Sequence, residues 1–371
     1  MAVTTTGEST VEPSAAADEV AGRSLRQIAM GRLRRDRGAM IALSVLVVVF
    51  AITIFAPLIT ALVGVNPFDF DATALDPSKG SIPNGPWGAA SWEHPLGVEP
   101  LTGRALFARL LYGARVSLFI AVTAVVLSAL IGTTIGIIAG YKGGRWDTVI
   151  GRSTDLLLAF PQILMLIALS PVLTQRLQAM GLSPENARIA YLIIVFVFFG
   201  WPYLARLVRG QVLSLREREF VEAAIATGAP TRRILFKEML PNLWAPLIVY
   251  TTISLPTIIA SEATLSYLGV GIVEPTPSWG KMLADSVRYF AVVPSYLFIP
   301  GTALFVVVFG SFPCVVSFGC ERSMSAMGTS STIGITVAAG AVTGCVLTCL
   351  LPTSVSGEIP FLPAPSRFGP V

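Results

Sequence analysis

Six stretches of the chain are apolar and carry no charged side chain: 39–63, 116–139, 156–175, 189–205, 243–261 and 295–312. Most approach the ~20 residues that an α-helix needs to cross about 30 Å of hydrocarbon. Lipid offers no partner to an exposed peptide group, so such stretches are predicted as helices rather than as strands of an open sheet. The pattern predicts an all-α polytopic membrane protein with six transmembrane helices. It divides the chain into a segment over 1–38, a first helix at 39–63, a loop at 64–114, a helical core at 115–310 and a tail at 311–371.

Polar positions refine that division. Residues 1–22 are rich in Thr, Ser, Ala and acids without apolar periodicity, which predicts disorder. Residues 24–37 are basic and suit a short helix on anionic headgroups. The first span is too long and uncharged for a typical signal-peptide core, so a retained anchor is expected. The loop at 64–114 begins with many Pro, Gly and Asp residues, as an irregular connection does, and ends in helix-like spacing. Pro161, Pro202, Pro246 and Pro256 interrupt the spans; each removes a backbone donor, giving either tolerated kinks or helices with two packings.

Composition agrees with a membrane location. Of 371 residues, 53% are hydrophobic and 13% charged, against roughly 25% charged in soluble domains, and the mean hydropathy is +0.72. Lys and Arg accumulate on the cytoplasmic side of membranes. With the N-terminus inside, the inner segments between Arg23 and Lys237 carry 16 of them and the outer loops eight. The N-terminus is therefore predicted to be cytoplasmic, as is the loop between the fourth and fifth spans. The net charge of +4 follows from this topology and implies no nucleic acid; membrane lipid is the expected surrounding.

Candidate chemistry is sparse. His94 is the sole histidine, which excludes a multi-histidine zinc site within the chain, and cysteine is absent before Cys314. No GxxxxGK[ST] phosphate loop is present, so the chain is expected to have no ATPase site and no cofactor of its own. GYKGGRW at 140–146 reads as a basic turn. A membrane-embedded enzyme would need a catalytic set that the spans do not supply.

The inner loop is unusual. Residues 219–241 read EFVEAAIATGAPTRRILFKEMLP. Ser214 and Glu217 have capping-box spacing, predicting a helix from Leu215 that stops at Gly228. Pro230 then suits the start of a second helix, TRRILFKEML, which Pro241 helps to end. Ala223, Ala224 and Ala226 give the first helix low relief, and Phe220, Ile225, Ile234, Leu235 and Leu240 supply apolar anchors. Two readings stand: a docking element for another protein, or an amphipathic hairpin packed beneath the bundle.

The EAAIATG stretch followed by LP resembles the EAA loop of bacterial ABC importer permeases, the match falling on Glu222, Ala223, Ala224, Gly228, Ile234, Leu240 and Pro241. HPLGVEPLTGRALFARLLYGARVSL and EATLSYLGVGIVEPTPSWGKML resemble segments of dipeptide and oligopeptide permeases of the C-subunit type. The likeness covers about 25–309; Val98, Glu99 and Ala105 depart from the family's usual Thr, Asp and Asp. The resemblance implies a six-helix ABC importer transmembrane domain in a bacterial cell membrane, with a cytoplasmic coupling loop at 214–241. It also implies a second homologous permease subunit, two cytoplasmic ATPases using ATP and Mg, and an extracytoplasmic solute-binding protein. Short peptides are the expected substrate; nickel or another small solute is the alternative.

A secondary carrier is the other transport reading, but proton-driven carriers place acids or histidines within their spans. Here Asp155 and Glu262 lie near predicted span ends and suit either pairing or gating. Beyond Phe309 the sequence holds every cysteine and lacks a family-like charged ending, which suggests an altered frame or a diverged gene end. Thr332 to Leu351 is a candidate marginal seventh span, or part of a loose tail.

Overall fold

The computed structural model describes residues 37–83 and 87–326. The expectations for the segment before Arg37 and for Thr332 to Leu351 lie outside the described residues. The chain divides into two units, Met1–Ser323 and Met324–Val371, and the helical bundle is built within the first.

Helix α1 is Arg37–Ile54 and α2 is Ala56–Val63. The run expected to form one straight span over 39–63 is instead bent by 65° between Ile54 and Ala56. Pro57, in the first turn of α2, has no N–H to continue the ladder and its ring crowds the preceding turn. Buried Thr53 and Thr60 turn their hydroxyls back onto the Val49 and Ala56 carbonyls, at 2.7 and 3.0 Å. A two-residue antiparallel pairing of β1 (Leu75–Asp76) with β2 (Ile82–Pro83) comes next, in the loop.

Helix α3, Leu106–Lys142, begins ten residues before the charge-free run because LFARLLYGAR already keeps helical spacing. Helices α4 (Gly144–Ala159) and α5 (Gln162–Ala179) meet at 85°, so the expected third span over 156–175 is not a single straight helix. Pro161 is extended there and ends the α4 ladder. Helix α6 is Pro184–Arg216, with the Ser183 hydroxyl accepting from the Asn186 N–H. After it come α7 (Glu219–Ala226), α8 (Leu240–Tyr267), α9 (Trp279–Ser286) and α10 (Ser295–Ala326).

Among the described residues, three helices are long and apolar enough to cross a membrane unaided: Leu106–Lys142, Pro184–Arg216 and Thr231–Tyr267. The two bent pairs bring the number to five, and α10 adds a shorter apolar stretch, Ser295–Gly310. All six apolar runs of the sequence thus lie on helical elements. Pro202, Pro246 and Pro256 sit inside continuous helices, whereas Pro161, like Pro57, lies at a sharp break.

The pairing of α3 with α6 is the most extensive in the bundle. Gly132, Gly136 and Gly140 repeat every fourth residue and so share one face of α3. A Cβ on Gly132 would stand 2.8 Å from the Trp201 carbonyl oxygen, and one on Gly136 2.7 Å from that of Ala205. Without side chains at these positions the backbones approach closely, as small residues allow in membranes. Two apolar layers flank the seam. One joins Ile120, Leu166, Tyr191, Phe196 and Leu265; the other joins Ile137, Val208, Val212, Ile234 and Leu243.

Candidate functional site

At the Gly228 end of the bundle, α6 continues past the apolar run to Arg216, which places Ser214 inside the helix. The expected capping box does not form: α7 starts at Glu219, after an extended Arg218. Nothing in SLR disfavours helix, and buried Val212 fills the space left by Gly140, so the span runs on.

Helix α7 is held by one face. Val221 is buried and Ala224 half-buried against Val212, Ile234 and Met239, while Glu222, Ala223, Ile225 and Ala226 are exposed. The helix stops as expected at Gly228, whose φ of +76° suits a residue without Cβ. Its N–H donates to the Ile225 carbonyl at 2.9 Å, and that of Ala229 to the Ala224 carbonyl at 3.0 Å. These two bonds form a Schellman cap and satisfy carbonyls the helix end would otherwise strand.

Pro230 starts the next element, a single turn at Thr231–Arg233 that widens into a π-helix over Ile234–Met239. Pro241 does not end this helix as expected, for Thr231–Tyr267 is continuous. The wide π turn spares the Pro241 ring its clash with the preceding turn, and the Asn242 side-chain amide donates to the Glu238 carbonyl at 2.7 Å. Ile234, 2% exposed, is an internal anchor of the loop, Leu240 is half-buried, and Pro241 is exposed. Phe220, Ile225 and Phe236 present exposed apolar surface, Phe236 at 61%. The loop is therefore a capped ledge, anchored on one face, with apolar side chains on its free side.

At the opposite, Glu99 end lies a charged cluster that sequence reasoning missed. GVEPLTGRAL folds back on itself through a Val98–Ala105 bridge, with the Glu99 N–H donating to the Arg104 carbonyl at 2.9 Å. Gly103 lies against Asp71, where a Cβ would stand 1.9 Å from the carbonyl oxygen. This brings Glu99 to Arg109, which is 1% exposed and stands 3.5 Å from the carboxylate. Arg109 also donates to Glu274 at 2.9 Å, Arg104 pairs with Glu274, and the Tyr296 hydroxyl donates to Glu99. Burial pushes the Glu274 carboxyl up, but the Arg109 charge and the hydrogen bonds from Arg104 and Arg109 outweigh it and hold the group below its ordinary value.

The carboxylates of Glu99, Glu274 and Asp285 stand close enough to share a metal ion. Arg104, Arg109 and Lys281 already pair with them, so the chain supplies the balancing charge itself. The cluster works as a clasp. It ties the loop before α3 to α3, to the segment between α8 and α9, and to α10.

Below the clasp, Glu262 is 0% exposed and accepts hydrogen bonds from Ser117 at 2.9 Å and Ser266 at 2.8 Å. The Trp279 indole N–H donates to the Leu110 carbonyl at 3.0 Å, and a Cβ on Gly280 would stand 2.5 Å from the Ala263 Cα. The Glu262–Leu283 stretch is thus closely packed onto α3. Asp155 pairs with Arg206 and Asp147 with Arg209, tying α4 to α6. His94 Nε2 lies 2.9 Å from Asp71. Hydrogen bonds from Thr73 and then from His94 lower the Asp71 pKa to about 2. The clasp had one legible signal, charged residues in both motif-like segments, but nothing in the sequence paired them.

Two family models match separate segments of the chain. Residues 132–320, just over half the chain, match the family described as binding-protein-dependent transport system inner membrane component. Residues 24–81 match the N-terminal transmembrane domain of oligopeptide transport permease C. The oligopeptide transport system permease protein OppC of Bacillus subtilis (strain 168) is 37% identical over 310 residues, 81% of this chain and 91% of that protein. The dipeptide transport system permease protein DppC of Alkalihalophilus pseudofirmus is 39% identical over 76% of this chain and 84% of its own length. The glutathione transport system permease protein GsiD of Escherichia coli O6:K15:H31 is 38% identical over 75% and 83%.

Proposed function

The chain belongs to the inner membrane components of binding-protein-dependent transport systems, and from that premise we propose that residues 214–241 are the ledge through which a partner ATPase moves this subunit. It is a multi-pass permease subunit of a peptide ABC importer. Short peptides, the class shared by the oligopeptide, dipeptide and glutathione systems of its relatives, are the substrate.

A second permease subunit completes the pathway, two cytoplasmic ATPases use ATP and Mg, and a binding protein delivers peptide to the Glu99 end. The N-terminus and the Gly228 end are cytoplasmic; residues 64–114 face outward. Closure of the ATPase pair drives transport only insofar as its contacts with Glu222, Ala223 and neighbouring exposed residues differ between the two bundle states. The observation that carries this reading is the one-sided anchoring of α7. Its buried face transmits force into the α6–α8 layer, while its alanine-rich face stays free for a partner groove.

The test is co-expression with the partner permease and ATPases, comparing ATPase retention and peptide-stimulated ATP hydrolysis for the native chain, Gly228→Asn and Gly228→Asp. Asparagine tolerates the left-handed turn; aspartate adds a charge beside α7. Loss in the aspartate variant, with assembly of the two permeases intact and the asparagine variant near native, is expected. Unchanged stimulation in Gly228→Asp would make the loop a passive hairpin.

A further inference from the structure

A groove of about 530 Å³ lies between α1, α3 and the start of α6. Phe50 and Ile54 form one wall, Val116 and Phe119 the other, and Tyr112 and Arg115 stand at its mouth. Along α3 the lining runs from Tyr112 to Thr123, about 17 Å at 1.5 Å per residue. That depth is close to one leaflet of a hydrocarbon core about 30 Å thick. The side chains are strongly apolar and open to the surroundings, Phe119 being 58% exposed.

The mouth is charged. The Arg115 guanidinium lies 5.7 Å from the Tyr112 ring centroid, and no carboxylate pairs with it among the described residues. Arg104 and Arg109, at the same end, are taken up by the clasp carboxylates, and Arg188 donates to the Gly271 carbonyl. A cation at the membrane boundary above an apolar channel one leaflet deep complements an anionic headgroup with its chain beneath. A helix from another subunit fits less well. The groove is confined to one leaflet, and no acid lines it to restrain an orientation.

We propose that this groove is a phospholipid site, with an acyl chain lying along α3 between Phe50 and Phe119 and an anionic phosphate held by Arg115. The lipid then fills the space beside the α1–α2 bend, next to the direct contact that Val49 and Phe50 make with the core around Leu118 and Val307.

The intact transporter is to be purified from membranes, exchanged into nanodiscs of equimolar phosphatidylglycerol and phosphatidylethanolamine, and released for native mass spectrometry. The native complex is expected to retain phosphatidylglycerol several-fold over phosphatidylethanolamine. Arg115→Gln should bring that ratio to about one while lipid stays bound, and Val122→Phe, which narrows the groove, should lower retention of both. A photo-crosslinking residue at position 119 should label lipid. An unchanged preference in Arg115→Gln would overturn the proposal, as would crosslinks from position 119 to the other permease subunit, which would make the groove a subunit seam. Because Arg115 is exposed and has no carboxylate partner among the described residues, its substitution tests the site even if Val122→Phe does not assemble.

Discussion

Replacing Gly136 by alanine is expected to destabilise the bundle even though alanine is the better helix former. The added Cβ would meet the Ala205 carbonyl oxygen at 2.7 Å and Val208 Cβ and Cγ1 at 2.8 and 3.0 Å. Carbon contacts are favourable only near 3.5–4.0 Å, so α6 must retreat by roughly 0.5–1 Å. A backbone carbonyl cannot rotate aside as a flexible side chain can. The retreat also loosens the contacts made at Gly132 and Gly140, the neighbouring steps of the same seam.

Overpacking of this kind costs about 1–3 kcal/mol, partly offset by the ~1 kcal/mol that alanine contributes over glycine in a helix. The net loss is about 1 kcal/mol, roughly a fivefold shift in the folding equilibrium. Gly210→Ala, in α6, is the matched control, for nothing lies within 4 Å of its Cβ. It should leave stability unchanged or raise it by up to about 1 kcal/mol. Thermal unfolding of the purified transporter, followed by tryptophan fluorescence, should lower the midpoint for Gly136→Ala and not for Gly210→Ala. Equal midpoints would refute the close α3–α6 approach.

The clasp and the buried acid give three further outcomes. Arg109→Met leaves Glu99 buried without its cation and should cost about 3–5 kcal/mol, read as a lowered unfolding midpoint; a neutral result would show that the clasp is not a unit. Glu274 has a folded pKa below its ordinary value of 4.5, so its contribution is full above that value and is lost as the pH falls through the lower folded pKa. Hydrogen exchange at residues 270–286 should therefore be pH-insensitive in excess opening from pH 8 to 5 and rise in more acidic buffer, a rise that Glu274→Gln removes. Glu262→Ala strands the Ser117 and Ser266 hydroxyls at about 1–3 kcal/mol, whereas Glu262→Gln keeps an acceptor and should recover much of the midpoint; equal losses would show that the hydrogen bonds carry little of the packing.

Much of the architecture is written locally. Charge-free runs of membrane length and the stop at Gly228 each depend on neighbours a few residues away, so one chain suffices to read them. The boundaries that failed are those where one local signal competes with another. Ser214 has cap-like spacing, yet the helix it lies in is already nucleated and continues. Pro241 looks like a terminator, yet a π turn absorbs it. Pro57 and Pro161 lie inside apolar runs that hydropathy treats as unbroken, and there the missing backbone donor wins.

What only tertiary structure decided is which distant residues meet. Arg109 and Glu274 are separated by 165 positions, Ser117 and Glu262 by 145, and no periodicity links either pair. They come together because the Glu262–Leu283 stretch lies back over α3. The glycines at 132, 136 and 140 stand four residues apart, but only α6 lying against them gives that spacing its meaning. Hydropathy selects what enters the membrane; the close contacts made there depend on shape, and shape is set by the partner helix.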